Sequence, residues 1–308
     1  MRDEGLGMRV ARRVQVPRSM RWTAGNRDNI DDERGASGGG GGVGMIPLGI
    51  GGVIIVALLS MFTGVDFFSI LNGGGGGSAS VAPSGASSPV TASPAEEKTV
   101  DMMDAVARDA QETWAGLLGS GYEPTKVVIF RDSIQSACGF AQSATGPFYC
   151  PGDRKVYLDL SFFDELKQRF GAPGDFAQAY VLAHEIGHHI QNLTGTEAKM
   201  RRAQGADPGS ANALSVKLEL QADCYAGVWG HAASASGRAA AGKVELDPGD
   251  AEAALHAAAA IGDDRLQRLG TGRVMPEKFT HGTSEQRVTW FKRGLDSGDP
   301  KACDTFSR

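Results

Sequence analysis

The apolar and polar residues divide the chain into a charge-free apolar stretch, a glycine-rich stretch and a longer C-terminal part with ordinary periodicity. Met45 to Val65 holds about 20 residues without a charged side chain, which at 1.5 Å per residue just spans a bilayer core of about 30 Å. The residues that follow are mostly Gly, Ser, Ala and Pro, a composition that buries too little apolar surface to fold. We therefore predict a transmembrane helix over residues 45–65, preceded by a largely disordered basic, Gly-rich segment (residues 1–44) and followed by a flexible linker (residues 66–98).

The charges that flank the apolar stretch predict its orientation. Eight arginines precede the stretch, and no Lys or Arg follows it until Lys98. The positive-inside rule then places the N-terminus in the cytoplasm and residues 99–308 outside it. A cleaved signal peptide is the competing interpretation, but the apolar stretch is too long and too far from the N-terminus for one. We expect a single-pass cell-membrane protein.

Periodicity in the C-terminal part predicts an α+β domain. Met102 to Leu118 repeats apolar side chains at helical spacing and is followed by glycines. Lys126 to Phe130 and Lys155 to Leu160 are typical of short strands, and the pattern from Phe176 onward is mainly helical. We predict a small antiparallel sheet followed by packed helices over residues 99–308.

Composition narrows the classes of function. Gly accounts for 43 of 308 residues, about twice the usual share, but about half of these glycines precede Pro94. The 41% of hydrophobic and 22% of charged residues exclude wholesale disorder. A net charge of −5 and a pI near 5.7 argue against nucleic-acid binding. The excess of glycine is therefore concentrated on both sides of the apolar stretch. We expect the apolar stretch to bind a membrane.

A motif with metal-binding spacing lies on a predicted helix of the C-terminal part. Asp175 is a plausible N-cap of this helix, which contains the motif HEIGH and stops before Gly195. Four residues turn a helix by about 400°, so His184 and His188 share one face and can bind one metal ion. Glu185 is then close enough to act on a metal-bound water. Two partly buried structural histidines are the alternative.

A third ligand is available on a later predicted helix. Glu219 and Asp223 lie four residues apart among mainly apolar neighbours. Glu219 can coordinate the metal, while Asp223 can accept the second ring N–H of a ligand histidine. Two solvated carboxylates are the alternative, which the apolar setting disfavours because buried carboxylates need partners. The two motifs predict a zinc hydrolase, although His and Glu ligands leave other divalent metals open.

The chain resembles a known family. The pair HExxH and ExxxD resembles the gluzincin arrangement, and the chain from Met20 onward resembles the bacterial neutral zinc metallopeptidase family of single-span membrane proteins. The resemblance implies one zinc ion bound by His184, His188 and Glu219, with Glu185 as general base. The matching blocks are MRW at 20–22, NIDDERG at 29–35, SACG at 136–139, FYCP at 148–151, VYLDLSFF at 156–163, AHEIGHHIQNLTG at 183–195, LELQADCYAGVW at 218–229 and THGTSEQRVTWF at 280–291.

The last of these blocks contains His281 and Arg287. It resembles the C-terminal His…Arg segment of membrane-embedded prenyl-protein endopeptidases, where such residues stabilise the oxyanion. The resemblance implies that His281 and Arg287 are catalytic in the same way. The alternative is a helix cap at Thr283 or Ser284, with Arg287 in a structural ion pair.

The position of one predicted strand in the sheet and the pairing of the four cysteines each leave alternatives open. The strand from Lys155 to Leu160 precedes the metal-binding helix, so it is either an edge strand that binds an extended substrate or an interior strand. Outside the cytoplasm the four cysteines could pair as Cys138–Cys150 and Cys224–Cys303, which is one of three possible connectivities.

The sequence thus predicts a membrane-anchored zinc endopeptidase that cleaves a peptide or protein outside the cytoplasm. Zinc would lower the pKa of its bound water toward about 7. Glu185 would take the proton as hydroxide attacks the carbonyl and would pass it to the leaving amine. The alternative function is a catalytically inactive, metal-containing binding or scaffold module tethered to the membrane. Amidase action on a non-peptide bond of the cell wall also remains open.

Overall fold

The computed structural model describes residues 20–35, 90–142, 146–169, 171–172 and 174–307, and in them helices pack against a small sheet. The strands are β1 (Ile30–Asp32), β2 (Lys126–Phe130), β3 (Ser133–Ser136), β4 (Gly139–Gln142), β5 (Phe148–Cys150) and β6 (Lys155–Asp159). The helices are α1 (Pro94–Leu118), α2 (Ser161–Gln168), α3 (Asp175–Leu193), α4 (Thr196–Ala206), α5 (Ala211–Ala233), α6 (Asp250–Ala260), α7 (Asp263–Thr271) and α8 (Ser284–Ser297). This confirms the predicted α+β class, with a small sheet followed by packed helices.

The direction of the strands differs from the prediction. The sheet has the order β1-β2-β6-β5, in which β1, β2 and β6 are parallel and β5 alone runs antiparallel. Strands β3 and β4 form a separate antiparallel hairpin. Parallel neighbours need a crossover connection, and helix α1 lies between β1 and β2 in the chain. The residue pattern that identifies a strand does not report its direction, which explains the error. Strand β6 is interior, so the edge strand on that side is β5.

Residues 20–35 belong to the same folded body, whereas the sequence predicted a largely disordered segment over residues 1–44. Ile30 pairs with Val127 in the parallel ladder between β1 and β2. The backbone of Arg21 also forms a β-bridge with Glu245, near the other end of the chain. Strand β1 is therefore an edge strand of the domain's own sheet.

Arg34 fixes the end of this segment to the first turn of α1. Its side chain is 1% exposed and forms ion pairs with Asp32, Glu96 and Glu97 at 2.6, 3.0 and 2.8 Å. Helix α1 begins at Pro94, with Ser93 as its N-cap. The predicted linker over residues 66–98 therefore extends too far, because its last residues are helical.

The predicted transmembrane helix, residues 45–65, lies outside the described residues, as does most of the predicted linker. In the ranges that the structure does describe, every helix is too short or too polar to cross a bilayer.

Two glycines let helices α5 and α8 approach each other closely. A Cβ on Gly294 would lie 1.9 Å from the carbonyl oxygen of Cys224, and one on Gly227 would lie 2.1 Å from that of Phe291. Only glycine permits this backbone-to-backbone contact. It brings one face of α8 against the middle of α5, where the predicted ExxxD motif lies.

Both disulfides favoured by the sequence are confirmed. Cys138–Cys150 joins the turn of the β3–β4 hairpin to the end of β5, and Cys224–Cys303 joins α5 to the C-terminal segment. The second bridge strengthens the contact between α5 and the elements that follow it.

We predict that Gly294→Ala destabilises the protein by about 1–3 kcal/mol or more, because the added methyl group overlaps a carbonyl of α5. Gly116→Ala in the exposed part of α1 is the matched control, since nothing lies within 4 Å of the position of its Cβ. That control should gain about 0.5–1 kcal/mol from helix propensity. Denaturant unfolding of both variants checks this, and equal stability of Gly294→Ala and wild type would contradict the close α5–α8 contact.

Candidate metal centre

The candidate site lies where helices α3 and α5 cross. Gly187 of the HEIGH motif faces α5, and a Cβ there would lie 3.0 Å from the carbonyl oxygen of Ala222. This close approach brings the histidine face of α3 against the helix that carries Glu219. Helix α3 ends just before Gly195, which has the left-handed φ of 73°, as the sequence predicted.

His184, His188 and Glu219 come together as a possible ligand set. One ligand atom from each lies within 4.8 Å of the other two. His184 Nε2 is 3.1 Å and His188 Nε2 is 3.6 Å from the nearer carboxylate oxygen of Glu219. Ligands of a tetrahedral zinc ion with bonds of 2.0–2.1 Å lie about 3.3 Å apart. The three side chains therefore fit a zinc ion with little movement.

Asp223 holds His184 in its ligand orientation. His184 Nδ1 donates to Asp223 Oδ1 at 2.9 Å, which turns Nε2 of the ring toward Glu219. The same oxygen accepts a hydrogen bond from the hydroxyl of Tyr180. The predicted contact between Asp223 and a histidine of the HEIGH motif is therefore present, while metal binding by that histidine stays a prediction.

Arg287 forms the ion pair that the sequence analysis gave as the alternative to a catalytic role. Its Nε and Nη2 atoms each donate to Asp223 at 2.8 Å, and Nη2 also donates to Tyr180 at 3.2 Å. The Arg287 side chain is only 2% exposed. Its guanidinium is enclosed and bonded to Asp223, and a catalytic role for Arg287 stays a prediction. Of the two interpretations, the structural ion pair is the one the structure shows.

Gln191 orients the second histidine, a role that sequence reasoning missed. Its side-chain oxygen lies 2.8 Å from His188 Nδ1, and its Nε2 donates to the carbonyl of Leu218 at 2.7 Å. Gln191 is fully buried. The sequence feature that could have identified Gln191 is its position three residues after His188, which places both side chains on the same helix face.

The charges of the site are arranged for a cation. Burial alone would raise the pKa of the Glu219 carboxyl, but His188 and His281 outweigh it and hold that pKa well below its usual value. Burial would lower the pKa of His188, yet the charge of Glu219 raises it to about 10. The carboxylate of Glu219 and the imidazole of His188 therefore stabilise each other's charged forms. Burial raises the pKa of the Glu185 carboxyl, which follows His184 on α3.

His281 lies on a loop fixed by Asp263 and is close enough to Glu219 for its charge to lower the pKa of that carboxyl. The buried carboxylate of Asp263 accepts the backbone N–H groups of Thr280, His281 and Gly282 at 2.7, 2.6 and 3.0 Å. Its other oxygen is 3.3 Å from His281 Nδ1. The Thr283 cap predicted as the alternative is also present, as a capping box at the start of α8. Sequence reasoning missed Asp263 because no spacing connects it with His281.

The chain was compared with known families and proteins. The model of a family described as "putative neutral zinc metallopeptidase" matches residues 20–306. The uncharacterized protein YpfJ of Escherichia coli K12 is 46% identical over 299 residues, covering 94% of this chain and 99% of the relative. The uncharacterized protein Rv2575 of Mycobacterium tuberculosis H37Rv is 46% identical over 207 residues, covering 66% and 69%. No solved structure matches the chain, so the gluzincin resemblance stays a prediction.

We predict that the purified protein binds one zinc ion per chain and that Glu219→Gln weakens binding by more than about 100-fold. Loss of a residue that only orients a ligand already costs about 10- to 100-fold, and Glu219 supplies the negative charge. Competition with a chromogenic chelator measures the affinity. Glu285→Gln, in an exposed position of α8, is the matched control. Equal affinity in the two variants would remove Glu219 from the ligand set.

Proposed function

Because the chain belongs to the neutral zinc metallopeptidase family, we propose that it is a zinc-dependent endopeptidase acting on a peptide or protein substrate. The observation that carries the proposal is the convergence of His184, His188 and Glu219 beside Glu185. This combination supplies a metal site and a proton acceptor in one place, which peptide hydrolysis requires.

His184, His188 and Glu219 would hold the zinc ion, as in the gluzincin arrangement that the motifs resemble. When bound there, zinc supplies a Lewis acid that polarises a peptide carbonyl and lowers the pKa of water. Asp223 and Gln191 keep the two imidazoles turned toward the ion, and Arg287 keeps Asp223 in place. These orienting bonds keep the site assembled before substrate arrives.

Glu185 is the proposed general base. Its carboxylate takes a proton from the attacking water and returns that proton to the amine of the departing peptide. Its burial raises its pKa above the usual value for a glutamate. A carboxyl group with a raised pKa is a better proton acceptor near neutral pH and gives the proton back within the same cycle.

His281 is the proposed donor to the oxyanion that forms on the substrate carbonyl. It is the imidazole that lies near Glu219 without belonging to the ligand set. Asp263 holds the backbone of His281, and when the ring carries both protons Asp263 accepts its Nδ1–H while Nε2–H donates to the oxyanion. A donor held in place before the reaction stabilises the developing charge without reorganisation. Arg287 has no direct contact with the reacting atoms in this proposal.

We also propose that residues 45–65 attach the enzyme to the cell membrane and that its catalytic domain lies outside the cytoplasm. The two disulfides favour an oxidising compartment, since such bridges are rare in cytosolic proteins.

Glu185→Gln should abolish cleavage while leaving zinc affinity unchanged, because the amide keeps the shape of the side chain but cannot accept the proton. The zinc-loaded full-length protein is incubated with an unfolded protein and a broad peptide library, and the fragments are identified by mass spectrometry. Glu285→Gln is the matched control, and a chelator separates zinc dependence from contamination. If wild type and Glu185→Gln release the same fragments, the peptidase proposal fails. If neither cleaves, the inactive metal-containing module becomes the better hypothesis.

His281→Leu should lower kcat by about 10²- to 10³-fold with little change in zinc affinity. His281→Gln should recover part of the rate, because its amide can still donate a hydrogen bond. His256→Leu, at an exposed histidine of α6, is the matched control.

The role of Asp263 is tested by a double-mutant cycle. Asp263→Asn should lower kcat in the wild-type background but much less in the His281→Leu background, since its effect acts through His281. Equal losses in both backgrounds would show that Asp263 supports the fold rather than the position of His281.

A further inference from the structure

The C-terminal segment that follows α8 packs against α5, the helix that carries Glu219. A short 3-10 helix, Pro300–Cys303, ends at a disulfide between Cys303 and Cys224, and both cysteines are fully buried. Beyond this bridge, the hydroxyl of Thr305 donates to the carbonyl of Lys217 at 2.7 Å. The segment is thus held to α5 at two points, one before and one after the ExxxD motif.

A row of amide hydrogen bonds leads from this segment to His188. The carbonyl oxygen of Cys303 accepts a hydrogen bond from Nε2 of Gln221 at 3.1 Å. The side-chain oxygen of Gln221 accepts from Nε2 of Gln191 at 3.2 Å, and the side-chain oxygen of Gln191 lies 2.8 Å from His188 Nδ1. Gln191 is fully buried and Gln221 is 6% exposed. The row therefore runs through the interior of the domain.

Backbone carbonyls determine the direction of every bond in this row. A carbonyl oxygen only accepts hydrogen bonds, so the Cys303 carbonyl requires the NH₂ group of Gln221 and turns the oxygen of that amide toward Gln191. One hydrogen of the Gln191 amide then goes to Gln221, and the other goes to the carbonyl of Leu218 at 2.7 Å. The oxygen of Gln191 is left for His188, whose Nδ1 must be the donor.

This direction decides which nitrogen of the His188 ring is available to a metal ion. A metal ion binds an imidazole nitrogen that carries no proton. Because the bond to Gln191 keeps a proton on Nδ1, the nitrogen left for the metal is Nε2. That atom lies 3.6 Å from the carboxylate of Glu219, on the side where the other proposed ligands converge.

We propose that the C-terminal segment is part of the metal site. The Cys303 carbonyl, held in place by the disulfide to Cys224, orients the amides of Gln221 and Gln191 and thereby presents Nε2 of His188 to the metal ion. Gln221 is a positioning residue, since it acts through Gln191. The inference rests on the zinc site of the proposed function but does not depend on peptide cleavage.

The zinc affinity of the full-length protein tests the role of Gln221. Gln221→Leu should weaken zinc binding by about 3- to 10-fold, the effect of a lost neutral hydrogen bond, in competition with a chromogenic chelator. Gln204→Leu is the matched control, because Gln204 is also buried and donates to a backbone carbonyl, that of Ala211 at 2.9 Å. An equal loss of affinity in the two variants would overturn the proposal.

A double-mutant cycle separates positioning from a general effect on the fold. If Gln221 acts through Gln191, Gln221→Leu should change zinc affinity much less in the Gln191→Leu background than in the wild-type background. Equal losses in the two backgrounds would show that Gln221 supports the fold alone, and this result would also overturn the proposal.

Removal of each disulfide tests the contribution of the C-terminal segment. The double variant Cys224→Ala, Cys303→Ala should bind zinc more weakly than wild type, whereas Cys138→Ala, Cys150→Ala, which removes the other bridge, should not. Circular dichroism of the zinc-free proteins checks that both variants are folded. If the first does not fold, the two glutamine variants decide the question. Equal affinity of two folded double variants would overturn the role of the segment.

The outcomes separate this inference from the proposed function. If the expected differences in zinc affinity are found but no peptide is cleaved, the endopeptidase proposal fails and the positioning role of the C-terminal segment stands. If peptides are cleaved but Gln221→Leu binds zinc as tightly as wild type, the proposed function stands and the positioning role fails. A wild-type protein that binds no zinc would overturn both.

Discussion

The structure around the candidate site depends on one buried carboxylate, that of Asp223. It is fully enclosed and accepts hydrogen bonds from His184 and Tyr180 on α3 and from Arg287 on α8. Burying a carboxylate without partners costs too much free energy. Asp223 therefore needs the hydrogen bonds from His184, Tyr180 and Arg287. Through this group the ligand helices are joined to the C-terminal helix, and the direction of one ligand ring is fixed by the packing of three helices.

The same constraint explains why a cation would stabilise the site. The carboxylates of Glu185, Glu219 and Asp223 are buried close together, and Arg287 compensates only the last of them directly. The two ring nitrogens that face Glu219 are positions where positive charge can be placed beside it. A divalent ion at this position would satisfy the carboxylates and both rings together, which links metal binding to the stability of the fold.

Backbone contact, as well as side-chain chemistry, places these groups. Gly187 allows α3 to touch α5, and Gly227 and Gly294 allow α5 to touch α8. In another part of the domain, strand β1 pairs with β2, and the ion pairs of Arg34 attach the end of this segment to α1. A segment that precedes the apolar stretch is thereby part of the same folded body as the candidate metal centre.

The sequence by itself determined the features that depend on local spacing. These are the paired histidines of α3, the Glu219–Asp223 pair one turn apart on α5, and the α+β class. Each of them follows from the periodicity of residues that are close together in the sequence. Tertiary structure alone decided the parallel direction of the strands, the ion pair of Arg287, the contacts of Asp263 with the His281 loop and the place of residues 20–35 in the sheet. Each of these depends on contacts between residues far apart in the chain, which no local pattern records.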